Sequence, residues 1–225
     1  MNLLVTAISG GAGLLLSPAI VYFAPRLVRS RVDAERDETD GRILVPLVGP
    51  RLARKDPWRP VVLELVTAAI FMALSKHETH LVHLVVVSAF SYWLLAIAWI
   101  DLHYRLVLNV MSYSGIVLAL PISALALNFG IEGALAGAVA GLLIFAVLQI
   151  AGRGALGAGD TKLAVLIGAM RGLPVTLDAL VLGMILGGLG AIFQLAVLRR
   201  SRKSSIPYAP FLVAGAILSF FLVNN

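Results

Sequence analysis

Long apolar runs separated by short polar breaks make up most of this chain. Windows that reach, or nearly reach, the roughly 20 residues a bilayer-crossing helix requires run at about 3–23, 59–75, 81–100, 106–127, 134–151, 175–198 and 208–223. An eighth, 163–170, lasts eight residues before Arg171-Gly172-Leu173-Pro174 interrupts it. At 1.5 Å per residue it covers about 12 Å of a hydrocarbon core about 30 Å thick, so it can span only by taking in the preceding Gly157-Ala158-Gly159-Asp160. The pattern predicts an all-α polytopic membrane protein with about eight transmembrane helices.

The charges choose among topologies. With eight spans and the N-terminus outside, 16 of the 18 Lys and Arg residues fall on the inner side, in 24–59, 101–105, 152–162 and 199–207, leaving Lys76 and Arg171 outside. Without the eighth span the split becomes 13 to 5. The cytoplasmic bias of basic loops favours eight spans. Composition agrees, at 60% hydrophobic and 13% charged, where a soluble domain carries about 25% charged residues. A cytosolic enzyme, a secreted scaffold and a nucleic-acid module are thereby excluded, and the net charge of +6 belongs to the basic loops. Cysteine is absent, which removes disulfides, Fe–S clusters, thiol nucleophiles and cysteine zinc sites. Met1-Asn2-Leu3-Leu4 lacks the basic n-region of a cleavable signal peptide, so the first span is expected to stay.

The loop 24–59 is the one sizeable polar piece, mixing nine basic residues with Asp33, Glu35, Asp37, Glu38, Asp40 and Asp56. About 35 residues are too few for a well-cored domain without a metal or disulfide, and this loop contains neither Cys nor His. It reads as a cytoplasmic elaboration lying against the membrane, its centre Ile43–Val48 touching the interface. Gly133, Gly137 and Gly141 recur every fourth residue, as do Gly183 and Gly187, the spacing that lets helix backbones approach in lipid.

Ionisable residues at span edges are costly and point to function. Asp101 directly follows Ala98-Trp99-Ile100, and Asp160 opens the short eighth span; the eight-span topology puts both at cytoplasmic helix ends. Two carboxylates brought within a few ångströms share a proton. The ionised member can then take a proton from water while the protonated one polarises a carbonyl, as in aspartic proteases. Gly157 and Gly159, on either side of Ala158, would permit a non-helical start to the span and let a substrate backbone approach Asp160. No metal is expected.

The stretch Gly157-Ala158-Gly159-Asp160-Thr161-Lys162-Leu163 resembles the GxGD-x-K-L signature of the prepilin peptidases, the type IV leader peptidases, which are GxGD-type intramembrane aspartic proteases. Asp101-Leu102-His103-Tyr104-Arg105-Leu106-Val107-Leu108-Asn109 resembles that family's first catalytic stretch, with Leu108 where the family usually has Pro. Ile206-Pro207-Tyr208-Ala209-Pro210-Phe211-Leu212 resembles the Pro-Phe-Gly-Pro-Phe-Leu entry to the last span, and Pro60-Val61-Val62-Leu63-Glu64-Leu65-Val66-Thr67 the opening of the second. The resemblance implies that Asp101 and Asp160 are the catalytic pair and that the substrate is a prepilin or pseudopilin, cut at its short basic leader on the cytoplasmic side of the inner membrane. It implies a peptidase-like membrane domain over 59–225, preceded by a first helix and loop over 1–58. Many members carry two Cys-x-x-Cys pairs in that loop, associated with N-methylation of the freed terminus. Here they are missing, so no cofactor is expected, S-adenosylmethionine entering only if methylation is retained. Anionic lipid and the acidic residues 33–40 are the candidates to meet a basic leader.

Other polar residues have plainer readings beside functional ones. Lys162 lies about 200° around an ideal helix from Asp160; it snorkels to headgroups or holds Asp160 ionised. Glu64 is either a buried structural partner or a substrate contact. His77, His80 and His83 read as a chance cluster, Asp178 as a first-turn charge meeting the helix dipole, and Gln149 and Gln194 as interhelical hydrogen-bonding groups. The rival from another class is a small transporter or channel using intramembrane acids. Its hallmark, interrupted helices in both halves, appears only at 153–174.

Overall fold

The structure, a computed structural model, describes residues 3–38, 58–152, 156–196 and 207–222. Among them the chain forms eight α-helices and no strand: α1 (Leu3–Glu38), α2 (Trp58–His77), α3 (Leu81–Tyr104), α4 (Asn109–Ala126), α5 (Gly130–Ala151), α6 (Ala158–Arg171), α7 (Val175–Ala196) and α8 (Ala209–Leu222). Two compact units result, Met1–Thr79 and His80–Asn225.

The first unit is the pair α1 and α2. Small residues set their approach: a Cβ on Gly13 would lie 2.8 Å from the Ala68 Cα, and one on Gly10 2.7 Å from the Met72 Cγ. Ile20, Ala24 and Val28 of α1 and Leu63, Phe71 and Leu74 of α2 are buried. Helix α1 corrects an expectation, because it continues through 24–38, where the charges suggested a loop. Charge ends a membrane span, but it does not end a helix. Ala24, Leu27 and Val28 keep an apolar edge, and the Arg26 guanidinium covers the Tyr22 ring at 3.9 Å. The stretch Ile43–Val48 with the rest of 39–57, Arg153, and Arg199–Lys203 lie outside the described residues.

In the second unit the short helix α6 is central, packed against α4, α5, α7 and α8. Its Leu163, Ala164, Leu166, Ile167 and Ala169 are fully buried. Glycine lets the neighbours close in: a Cβ on Gly137 would collide with the Gly168 carbonyl, one on Gly168 with the Gly137 carbonyl, and one on Gly141 with the Ala164 carbonyl. Helices α7 and α8 meet through Gly183 and Gly215, and Gly187 makes room for Tyr208 just before α8. Gly137, Gly141 and Gly183 of the four-residue spacing thus serve helix packing, whereas Gly133 faces Phe129 at the start of its own helix.

Among the described residues, five helices are long and apolar enough to cross a bilayer: α1 over Leu4–Ser30, α3, α4, α5, and α7 over Val175–Gln194. Helix α6 does take in Ala158-Gly159-Asp160, yet its 14 residues amount to about 21 Å. Surrounding helices, rather than lipid, cover it, and buried helices escape the length rule. Arg171 also differs from expectation. Placed in an outer loop by its charge, it is the buried last residue of α6. Its Nε donates to the Ser219 Oγ at 3.0 Å, its Nη2 to the Ser219 carbonyl at 2.9 Å, and its guanidinium lies 4.0 Å from the Phe220 ring centre.

Candidate active site

Asp101 stands one turn before the end of α3. The helix closes at Arg105, whose left-handed φ of 54° turns the chain and whose N–H donates to the Asp101 carbonyl at 2.8 Å. Asp101 as a whole is buried, at 6% exposed. Its Oδ2 accepts the Ala209 N–H at 3.2 Å. This amide opens α8 and has no intrahelical partner, so the carboxylate satisfies an orphan donor and is oriented by it.

Asp160 is the third residue of α6, and its position there is reciprocal with Gly157. The Gly157 N–H donates to Asp160 Oδ2 at 3.2 Å, and the Asp160 N–H donates to the Gly157 carbonyl at 3.0 Å. Asp160 is half-buried. The two carboxylates, separated by 59 positions in the chain, lie within electrostatic reach of each other. Tyr208, half-buried just before α8, is within electrostatic reach of Asp160 as well. The segment Tyr208-Ala209 therefore borders both acids.

The two glycines have different surroundings. A Cβ on Gly159 would lie 2.8 Å from the Val107 Cβ, so this glycine makes room for the chain's own α3–α4 connection. Gly157 is exposed, and its Cβ position meets only Asp160 Oδ2, at an ordinary 3.4 Å. Leu108, the departure from the family's proline, holds φ at −72°, within the range a proline ring imposes.

The Lys162 ammonium is engaged across the site. Its Nζ donates to the Asn109 Oδ1 at 2.7 Å and lies 5.0 Å from the Tyr113 ring centre. Thr161 donates to the Gln149 Oε1 at 3.1 Å, the interhelical bond expected of that glutamine. Gln194 does not follow, its buried Oε1 having no partner among the described residues. Glu64 belongs to the other unit, half-buried on α2. Asp178 is exposed in the first turn of α7. The His80 and His83 rings are 5.7 Å apart, and among the described residues no three His, Asp or Glu side chains are grouped to hold a metal ion. Sequence reasoning passed over Asn109, Tyr208 and the Ala209 amide. The first two lie inside the quoted motifs; a backbone donor carries no signal in residue type.

Comparison with known proteins bears on the same stretch. Residues 88–192, which include Asp101 and Asp160, match the model of the type IV leader peptidase family. The chain is 30% identical over 162 residues to a prepilin leader peptidase/N-methyltransferase of Bacillus subtilis (strain 168), covering 70% of this chain and 63% of that one. It is 28% identical over 162 residues to a protein of the same name from Pseudomonas putida, covering 69% of this chain and 56% of that one. The chain thus matches about three-fifths of the length of these curated relatives. No solved structure matches it significantly.

Proposed function

We propose that the chain, whose residues 88–192 match the model of the type IV leader peptidase family, is an aspartic endopeptidase of the cytoplasmic membrane with Asp101 and Asp160 as its catalytic pair. One observation carries this reading: two carboxylates from separate helices, each oriented by a backbone amide, lie within electrostatic reach of each other. Such a pair holds one proton between its members. The ionised carboxylate takes a proton from water as the water attacks the scissile carbonyl. The protonated one donates to the carbonyl oxygen as charge develops there, and a proton then passes to the leaving amine. Water is the only co-reactant.

The substrate is a prepilin or pseudopilin, cut between its basic leader and the apolar helix that follows, on the side that holds most of the chain's Lys and Arg. Residues 59–225 carry the peptidase, and 1–58 anchor it and elaborate its cytoplasmic face. The proposal is cleavage alone. The names of both relatives include N-methyltransferase, but 24–59 of this chain offers no Cys or His to build a metal-bound cap, and structural zinc takes such ligands. The transporter reading draws no support from acids bound to backbone amides at helix ends.

The test is cleavage of a prepilin by Asp101→Asn and Asp160→Asn in membranes, with Asp178→Asn as control. Asn keeps the size and an acceptor oxygen for the amide but cannot exchange the proton. Both dyad variants should insert normally and lose at least about a hundredfold of the activity, the control should cleave, and chelators should leave cleavage intact. Robust processing by either dyad variant would overturn the assignment.

A further inference from the structure

Asn109 is the first residue of α4, yet it does not cap that helix. The N-cap is Leu108, which makes no side-chain cap bond, although Asn is among the best residues for that task. Its side chain is committed elsewhere: Oδ1 accepts the Lys162 Nζ at 2.7 Å, across 53 positions of sequence. The same ammonium lies 5.0 Å from the Tyr113 ring, one turn further along α4 and within cation–π range. Two residues before Asn109, Val107 fills the space against Gly159, three residues before Lys162. The α3–α4 connection is thus fastened to the first turns of α6 at two adjacent points, one polar and one steric. Asp101 lies just before one of the fastened segments and Asp160 lies between the two fastened positions of the other.

Resting on the proposed peptidase reading, we propose that Lys162 and Asn109 form a positioning pair that holds the start of α6 against the α3–α4 connection and so sets the separation of Asp101 and Asp160. Neither residue touches the reacting atoms. The cation acts through its bond to Asn109, not through its field at Asp160. Misplacing a catalytic group by about 1 Å can cost about a hundredfold in rate, so a break in this tether should appear in kcat. Substrate binding, spread over a leader and an apolar helix, should change little.

The experiment uses the full chain in nanodiscs with a prepilin-type peptide. Lys162→Met and Asn109→Leu should each lower kcat about ten- to a hundredfold with KM within about twofold. Asn109→Asp, which keeps an acceptor, should stay near wild type, and the exchange Asn109→Lys with Lys162→Asn should recover most of the loss. A KM effect with kcat unchanged would make Lys162 a substrate contact and overturn the proposal. So would an exchange variant no better than Lys162→Met, the result expected if the cation acted by its field alone. A second readout needs no cleavage. The chain has no cysteine, so spin labels at Leu106→Cys and Leu156→Cys report the separation of the two fastened segments alone. Their distance distribution should broaden in Lys162→Met and narrow again in the exchange variant; no change would refute the tether even if Asp101→Asn and Asp160→Asn had already disproved the peptidase reading.

Discussion

Replacing Ala209 by proline isolates a single hydrogen bond at the site. Ala209 is the fully buried first residue of α8, and its N–H donates to Asp101 Oδ2 at 3.2 Å. The first bonds of the α8 ladder run from the Phe211 and Leu212 amides to the Tyr208 carbonyl, at 3.1 and 3.3 Å. The Ala209 amide takes no part in them. Proline is well tolerated at a first helical position, where its missing N–H costs the ladder nothing. At Asp101 the effect is different, because a ring methylene replaces the donor hydrogen and the carboxylate must turn from it. A hydrogen bond to a charged group contributes about 1.5–3 kcal/mol. If that energy orients the carboxylate for reaction, kcat/KM should fall about 10- to 150-fold at about 1.4 kcal/mol per tenfold, while helix content is kept. Ala209→Gly retains the donor and should cleave nearly as well as wild type, at some cost in stability from the lost methyl group. The assay is cleavage of a synthetic prepilin-type peptide in nanodiscs, with circular dichroism as the check on folding. Wild-type kcat/KM in a folded Ala209→Pro protein would show that the amide bond has no part in positioning Asp101.

Gly168→Leu should push α6 away from α5, because even a Cβ collides with the Gly137 carbonyl. Overpacking costs about 1–3 kcal/mol, read as a melting temperature several degrees lower, whereas Gly188→Ala, with open space at its Cβ, should melt as wild type does. Single cysteines at Ser201 and Asn225 should label from opposite sides of the membrane; labelling of both from one side would remove a span between them. Mass spectrometry of pilin matured by this protein as the sole leader peptidase should find an unmethylated N-terminus, and a largely methylated one would refute the ligand reasoning on residues 24–59.

The all-helical membrane fold and the two acids were legible in the chain itself, because both leave marks in residue type. Apolar runs of bilayer length have few other solutions, and an aspartate directly after Ala98-Trp99-Ile100 or within Gly157-Ala158-Gly159-Asp160 is expensive unless used. Glycine spacing likewise announced that helices pack closely at these faces, without saying against which neighbours. What tertiary structure decided was whatever depends on partners remote in sequence. Helix α6 is tolerably short because four neighbours enclose it. Arg171 is buried because Ser219 and Phe220, 48 and 49 positions away, meet it there. Asp101 is oriented by the backbone of Ala209, a donor that every non-proline residue carries and that no pattern can single out. Lys162 finds Asn109 because folding places the two motif segments side by side. Local spacing ranks the intrinsic preferences of a segment; it carries no term for a contact that exists only after distant helices have packed.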